Sequence, residues 1–338
     1  MKKLISLLLI TAFLISFSGC SVPQPENEGS VSTGFYPVTL TDHAGREVTI
    51  EEEPQRLISC YYITTSLLMA LDLDDKLVGI ENDPELRPIY ELSNPNLLEL
   101  SWVGTAKTLD LEACTALEPD LVILPLRLKD SAAILEDLGM DVLLVNPESQ
   151  ELLTEMIQMV ATACNRESKA EALLGFLSEK ETYLRAALGD ADTPSVYLSG
   201  NSNFLSTAGD EMYQADMIRL AGGHNVAAEI TDTYWAEIDY EQLLAWNPDY
   251  IILASSAKYT VEDVLKDPNL ADCSAVVNGN VFKIPADAES WDSPVPGSIL
   301  GALWLANILH PERLTDTNCT EIMDEYYETF YQFTYSKN

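Results

Sequence analysis

The chain has 338 residues, with 54 acidic side chains against 19 basic ones and a formal net charge of −35. So acidic a surface repels phosphate backbones and anionic headgroups, which excludes nucleic acid and anionic lipid as partners; otherwise the charge reads as solubility. Besides Cys20 the cysteines are Cys60, Cys114, Cys164, Cys273 and Cys319, too scattered for a disulfide framework or a zinc pattern.

The N-terminus reads Lys2-Lys3, an uncharged run from Leu4 to Phe17, then Ser18-Gly19-Cys20. A run this short does not comfortably span a bilayer, so residues 1–19 are expected to be an export signal cleaved before Cys20. The segment resembles a bacterial lipoprotein signal with its lipobox, although Phe17 stands where Leu is usual. The resemblance implies lipid on Cys20 and a soluble body tethered to the outer face of the cell membrane. Residues 20–35, rich in Pro, Ser and Glu, predict a flexible tether.

The body then alternates short apolar strands with helical periods. Residues 36–148 predict a first lobe with strands at Val38–Thr41, Glu47–Ile50, Leu57–Cys60, Leu77–Ile80, Leu121–Leu124 and Val142–Val145, and helices at Ser66–Leu71 and Asp130–Leu138. Residues 149–189 predict a helical connection without strands. Within it, Arg166–Leu188 carries Ala170, Leu173, Leu174, Leu177, Leu184 and Leu188 on one stripe, and Gly189 stops it. A helix of that length runs roughly 35 Å and braces one lobe against the other. Residues 190–334 predict a second lobe with strands at Val196–Ser199, Tyr250–Leu253 and Val281–Ile284, a helix at Glu211–Leu220 and an apolar helix at Gly297–Leu309. Wholly apolar strands separated by helices indicate α/β lobes with mostly parallel sheets.

One stretch occurs twice. Leu109–Leu124 and Ile238–Leu253 align without a gap and share seven of sixteen positions. Each copy has an Asp able to cap a helix, a two-turn helix, a Pro-Asp break and an apolar strand. Glu112 and Glu241 fall two residues after the capping Asp, in the first helical turn, and solvent is the expected environment for both. As ordinary first-turn glutamates they would favour the helix dipole. As a matched pair they suggest a bilobed body that something docks across.

The segment Tyr36–Ile50 followed by Pro54–Ser59 resembles the opening of the substrate-binding proteins of ABC importers for iron chelates and vitamin B12. The two Pro-Asp repeats, Ala221–Asn225, Asn278–Pro285 and Trp291–Glu312 fit the same family, in order along nearly the whole mature chain. That resemblance implies two Rossmann-like lobes joined by one long helix, a ligand cleft between them and little hinge closure. It also implies delivery of the ligand to a membrane permease driven by an ATPase, with Glu112 and Glu241 docking against permease arginines. The expected partners are therefore the permease and its ATPase, the membrane through lipid on Cys20, and a small-molecule ligand. The protein itself is expected to be a monomer without a cofactor of its own.

Cleft residues are expected in loops after strands. The first lobe offers Tyr61, Tyr62, Thr65, Arg87, Trp102 and Arg127; the second offers Asn201, Asn203, Tyr234, Trp235, Ser255 and Trp291. Aromatic rings with a few cations suit a bulky conjugated metal chelate of the siderophore, haem or corrinoid class, with core packing the alternative for any single ring. The Trp-Asp-x-Pro-x-Pro form of Trp291–Pro296 also resembles relatives that bind molybdate or tungstate, so an oxyanion is the second expectation. His43, His224 and His310 have no close ligand spacing, so a direct histidine-metal site is not expected. No nucleotide loop, serine elbow or zinc-hydrolase motif is present, which speaks against an enzyme; a surface adhesin would leave the paired lobes unexplained.

Overall fold

The computed structural model describes residues 34–231, 233, 235–314 and 316–337. The expected signal, nearly all of the tether, Cys20 and Tyr234 lie outside the described residues. All the elements below belong to one contact unit, Tyr36–Asn338.

A hairpin of β1 (Val38–Thr41) and β2 (Glu47–Ile50) leads in. The first lobe follows as β3 (Leu57–Ser59), α1 (Tyr62–Ala70), β4 (Leu77–Ile80), α2 (Pro88–Ser93), β5 (Ser101–Trp102), β6 (Gly104–Thr105), β7 (Thr108–Leu109), α3 (Leu111–Ala116), β8 (Leu121–Pro125), α4 (Lys129–Asp137) and β9 (Asp141–Val145). Its sheet has the order β5-β4-β3-β8-β9 and every pairing is parallel. β6 and β7 form a separate small hairpin.

Two helices make the connection, α5 (Gln150–Ala163) and α6 (Glu167–Leu188). Ser149 starts α5 by accepting the Leu152 amide at 3.3 Å, and Gly189, at φ +47°, follows the end of α6. The buried stripe of α6 runs Ala170, Leu173, Phe176, Lys180, Leu184 and Leu188. Leu174 and Leu177, expected on that stripe, are only partly buried. Lys180 takes a place on the stripe because its ammonium reaches Glu325 and Glu179 at 2.8 and 3.0 Å while its stem packs.

The second lobe comprises β10 (Ser195–Ser199), β11 (Ser206–Ala208), α7 (Tyr213–Leu220), β12 (His224–Asn225), β13 (Trp235–Glu237), α8 (Tyr240–Trp246), β14 (Tyr250–Leu253), α9 (Val261–Leu265), α10 (Ser274–Asn278), β15 (Val281–Lys283), α11 (Ser298–Leu309) and α12 (Asp316–Phe330). Here β10, β14 and β15 are parallel, β12 joins β10 in parallel, and β11 and β13 add an antiparallel edge.

Period-two alternation places the core. Leu57, Leu121, Ile123, Leu143 and Val145 point into one cluster, whereas Ile58, Val122, Leu124, Val142 and Leu144 point into another on the far face of the first sheet. In the second sheet Val196, Leu198 and Ile252 face the first of these clusters, and Tyr197, Ile251 and Leu253 face a third. The first cluster is thus common to both lobes and also takes residues of α5, α6, α11 and α12. α12 was not expected from sequence, although Cys319, Met323, Tyr326, Tyr327 and Phe330 follow helical spacing. It returns the chain to the first lobe, where the Tyr331 hydroxyl lies 2.9 Å from Ser66 Oγ in α1.

Candidate functional site

The C-terminal ends of β3, β4 and β8 carry the first lobe's candidate residues. Tyr61 precedes α1 and Tyr62 opens it, their rings meeting edge to face with centroids 5.6 Å apart. The Arg87 guanidinium lies 3.9 Å from the centre of the Tyr62 ring. Arg127, half exposed after β8, has Nη2 3.8 Å from Glu148. Arg127 and Glu148 both act electrostatically on the Tyr61 phenol, which burial pushes well above its ordinary range. Tyr61, Tyr62, Arg87 and Arg127 are therefore neighbours, as the loops after strands of a parallel sheet should be.

The second lobe meets this group through the segment between β15 and α11. Tyr62 Oη donates to Ser293 Oγ at 2.6 Å, and the Ile89 amide donates to the Ala288 carbonyl at 3.1 Å. Burial pushes the Tyr62 phenol up to about 12, so it is a neutral donor at physiological pH. Ser66 Oγ donates to Glu289 at 2.5 Å, and Tyr327 Oη donates to the same carboxyl at 3.3 Å. Burial raises the Glu289 pKa to about 7, and these two hydrogen bonds oppose the rise. Tyr62, Ser66, Arg87, Tyr90, Ser256 and Glu289 are among the residues around a cavity of about 60 Å³ between the lobes.

Three expected cleft residues turn inward instead. Thr65 is fully buried: its Oγ1 donates to Glu81 at 2.7 Å, because the buried Glu81 carboxyl requires donors, and lies 2.8 Å from Ser59 Oγ. Ser255 is buried beneath Asp292, to which its amide and hydroxyl donate at 3.0 and 2.6 Å. Burial raises the Asp292 pKa against these bonds. Trp291 is 1% exposed and neither wall nor lid; its Nε1 donates to Tyr327 Oη at 2.9 Å inside the aromatic cluster of α12. Trp102 and Trp235 sit on edge strands, 48% and 37% exposed. Trp235 lies against Gly200, where a Cβ would come within 3.2 Å of its ring. Asn203 is tied down on both sides, Nδ2 donating to Glu237 of β13 at 2.5 Å and Oδ1 accepting the Leu205 amide at 3.0 Å, and Asn201 is exposed, its carbonyl accepting the Lys258 amide. Sequence reasoning missed Ser66, Glu148, Glu289 and Ser293, and reached Ser256 beside Ser255 in the loop after Leu253. A search of all loops after strands reaches Glu148 as well, but nothing in the sequence pairs Ser66 with Glu289.

The duplicated stretch folds the same way twice. Asp110 accepts the Ala113 amide at 2.9 Å and Asp239 accepts the Gln242 amide at 2.8 Å, each starting its helix. Glu112 and Glu241 are exposed in the first turns that follow. The residue before each proline, Glu118 or Asn247, is left-handed at φ +45° and +44°. Asp120 then accepts the Gln55 and Arg56 amides at the start of β3, as Asp249 accepts the Ser195 amide at the start of β10. Each Pro-Asp therefore aligns a strand with its parallel neighbour.

Two lobes with parallel sheets, a long connecting helix and a site between strand ends define a solute-binding protein, and the chain belongs to the periplasmic binding protein family, which matches residues 57–288. It is 25% identical over 322 residues to the molybdate-binding protein MolA of Haemophilus influenzae, covering 88% of this chain and 91% of the relative. It is also 25% identical to the uncharacterized ABC transporter substrate-binding lipoprotein YvrC of Bacillus subtilis, covering 90% and 96%. A cobalamin-binding protein of Halobacterium salinarum is 22% identical, covering 90% and 84%. The structure of MolA bound to molybdate shares the fold with a TM-score of 0.77 at 24% identity, covering 88% of this chain and 99% of that one.

Proposed function

We propose that the protein captures an anionic metal chelate outside the cytoplasm and hands it to an ABC permease. The observation that carries the ligand class is the cluster of Tyr61, Tyr62, Arg87 and Arg127, which joins two aromatic faces to two guanidinium groups in a chain otherwise short of cations. Ring faces stack on a conjugated chelate and guanidinium forks pair with its carboxylate or catecholate oxygens. Exposed Trp102 and Trp235 add apolar surface at the lobe edges. Glu112 and Glu241, exposed at matched helix starts, are the docking carboxylates, and Cys20 carries the lipid. Among the described residues no helix is long and apolar enough to cross a membrane, and the similarity to a relative named as a lipoprotein supports a lipid anchor.

A molybdate-type oxyanion is the second reading. It is favoured by the interlobe cavity of about 60 Å³, which suits a group of a few atoms, and by the similarity to MolA. Relatives named for different cargoes match this chain about equally, so the site has to decide. The visible spectrum of the purified protein and calorimetric titration with ferric citrate, cobalamin and molybdate separate the readings. A coloured preparation or tight ferric-chelate binding supports the first; tight binding of molybdate alone overturns it.

A further inference from the structure

Eight arginines occur in the chain, and among the described residues seven of them have a hydrogen-bonded or ion-paired side chain: Arg46, Arg56, Arg127, Arg166, Arg185, Arg219 and Arg313. Arg87 has neither. Its guanidinium lies over the Tyr62 ring and borders the interlobe cavity. Other cations among the described residues also lack a carboxylate partner, Arg56, Lys107, Lys129 and Lys258 included, but Arg87 is the basic residue on the lining of this cavity, and the buried Glu81 feels its charge without bonding to it.

The opposite lining is also out of balance. Glu289 is 5% exposed, and its partners, Ser66 Oγ and Tyr327 Oη, are both neutral. No cation lies within ion-pair distance of it among the described residues. Gly297 packs against the carboxyl, where a Cβ would fall 2.6 Å from Oε2. So the protein holds a carboxyl and an unpaired guanidinium around one small cavity without joining them.

We propose that this cavity is a proton-dependent subsite for one anionic oxygen group, either a free tetrahedral oxyanion or a carboxylate arm of a chelate. Arg87 is its cation, and Glu289 admits the anion only when it carries a proton. The inference rests on the importer reading above and deepens it. An ionised Glu289 would face the incoming anion across a small, largely buried space, where like charges repel more strongly than in bulk water. Protonated, the same group is a hydroxyl donor, as are Ser66, Ser256 and Ser290 on the cavity wall. Burial places the Glu289 proton near neutrality, at about 7.

Of the other ionisable groups around Glu289 the tyrosines stay neutral, whereas burial raises the Asp292 and Glu81 carboxyls as well, so the comparison with Glu289→Gln is what assigns the proton. Tyr62 and Ser66 face it from α1, and Tyr326, Tyr327 and Tyr331 from α12 and the residues after it. Tyr213 faces it from α7. Burial holds the phenols of these tyrosines above their ordinary range, so they stay neutral. Tyr90, across the cavity, donates to Glu81 on its far side. Asp292, on the Glu289 segment, is engaged by Ser255.

The test is calorimetric titration of the full chain with sodium molybdate, ferric citrate and cobalamin at pH 5.5, 6.5, 7.5 and 8.5. Wild type, Glu289→Gln and Arg87→Gln are compared, with circular dichroism to verify folding. For whichever anion binds, wild-type affinity should fall about tenfold per pH unit above about 7, as linkage to one proton requires. Glu289→Gln should lose most of that dependence, and whatever slope it retains measures the change in the ligand and in the remaining groups with pH. Arg87→Gln should weaken binding at least about tenfold at every pH, the effect of a charged hydrogen bond. Binding by molybdate identifies the free oxyanion, and binding by ferric citrate alone identifies the carboxylate arm. A wild-type profile no steeper than that of Glu289→Gln, or unchanged affinity in Arg87→Gln, overturns the subsite. If Glu289→Gln fails to fold, the Arg87→Gln comparison and the wild-type profile decide. Binding of cobalamin alone also overturns the subsite and leaves the importer reading standing; no binding by any of the three, together with no dependence of uptake on Glu112 and Glu241, removes both.

Discussion

The two lobes are alike at one place and unlike at another. At residues 109–124 and 238–253 they repeat each other down to the capping Asp, the exposed Glu, the left-handed residue before proline and the Asp that captures a neighbouring strand. At the interlobe cavity they diverge: the first lobe brings Tyr62, Arg87 and Tyr90, and the second brings Ser256, Ser290 and Glu289. A partner with two similar halves accounts for the first pattern, and a ligand with two unlike sides accounts for the second. On the proposed reading, repetition marks the protein partner and divergence marks the small molecule.

The sharpest way to break that comparison is to remove both repeated carboxylates. Glu112→Ala with Glu241→Ala should abolish permease-dependent uptake, measured with labelled ligand in cells or vesicles, while affinity in calorimetry changes less than about twofold. Each single variant should cost a comparable part of the uptake. A single variant as severe as the double, paired with one that has no effect, would end the equivalence of the two copies.

The unlike side has a pH signature of its own. Glu289 has a folded pKa raised by burial to about 7 from an ordinary 4.5. Its contribution to stability is therefore full below about 4.5 and is lost as pH rises through about 7. That loss is at most about 3 kcal/mol from this group. The melting temperature should fall between pH 5 and pH 8, and Glu289→Gln should flatten the fall. Burial raises Asp292 and Glu81 too, so part of the slope should persist in the variant; an unaltered slope would show that Glu289 contributes nothing.

Smaller effects test the repeat as architecture. Asp120→Ala and Asp249→Ala should each cost about 1–2 kcal/mol in urea unfolding, because each frees two donors at the start of a strand in a partly solvated place. The two values should agree within about 0.5 kcal/mol. Smallest of all, Glu118→Asn should stabilise by about 0.5 kcal/mol, since Asn tolerates the left-handed region better than Glu, whereas Asn247→Glu should destabilise by somewhat more, because it also disturbs the acceptor of the Ser274 amide. Equal melting temperatures in both variants would mean that the two turns relax differently.

Much of the fold was legible because its signals are local. The strands at Val38–Thr41, Glu47–Ile50, Leu77–Ile80 and Tyr250–Leu253 occur where the apolar runs put them, and the long helix ends at Gly189. The short strands β5, β6, β7, β11, β12 and β13 carry no such run and were not foreseen, for two or three residues hold no period. The helix α12 was missed despite its spacing. Among site residues the loops after strands gathered Tyr61, Tyr62, Arg87 and Arg127, but the same rule also selected Thr65, Ser255 and Trp291, which are buried.

The sequence by itself determined the α/β class, the repeat with its caps and the family, because periodicity, capping and Pro-Asp breaks act between residues a few places apart. Only the tertiary structure decided which polar and aromatic groups face the space between the lobes. Ser66 meets Glu289 across 223 positions and Tyr331 across 265. Whether a Ser, a Glu or a Trp lies in water, in the core or on a cavity wall depends on what the rest of the chain packs against it, and no local pattern encodes that.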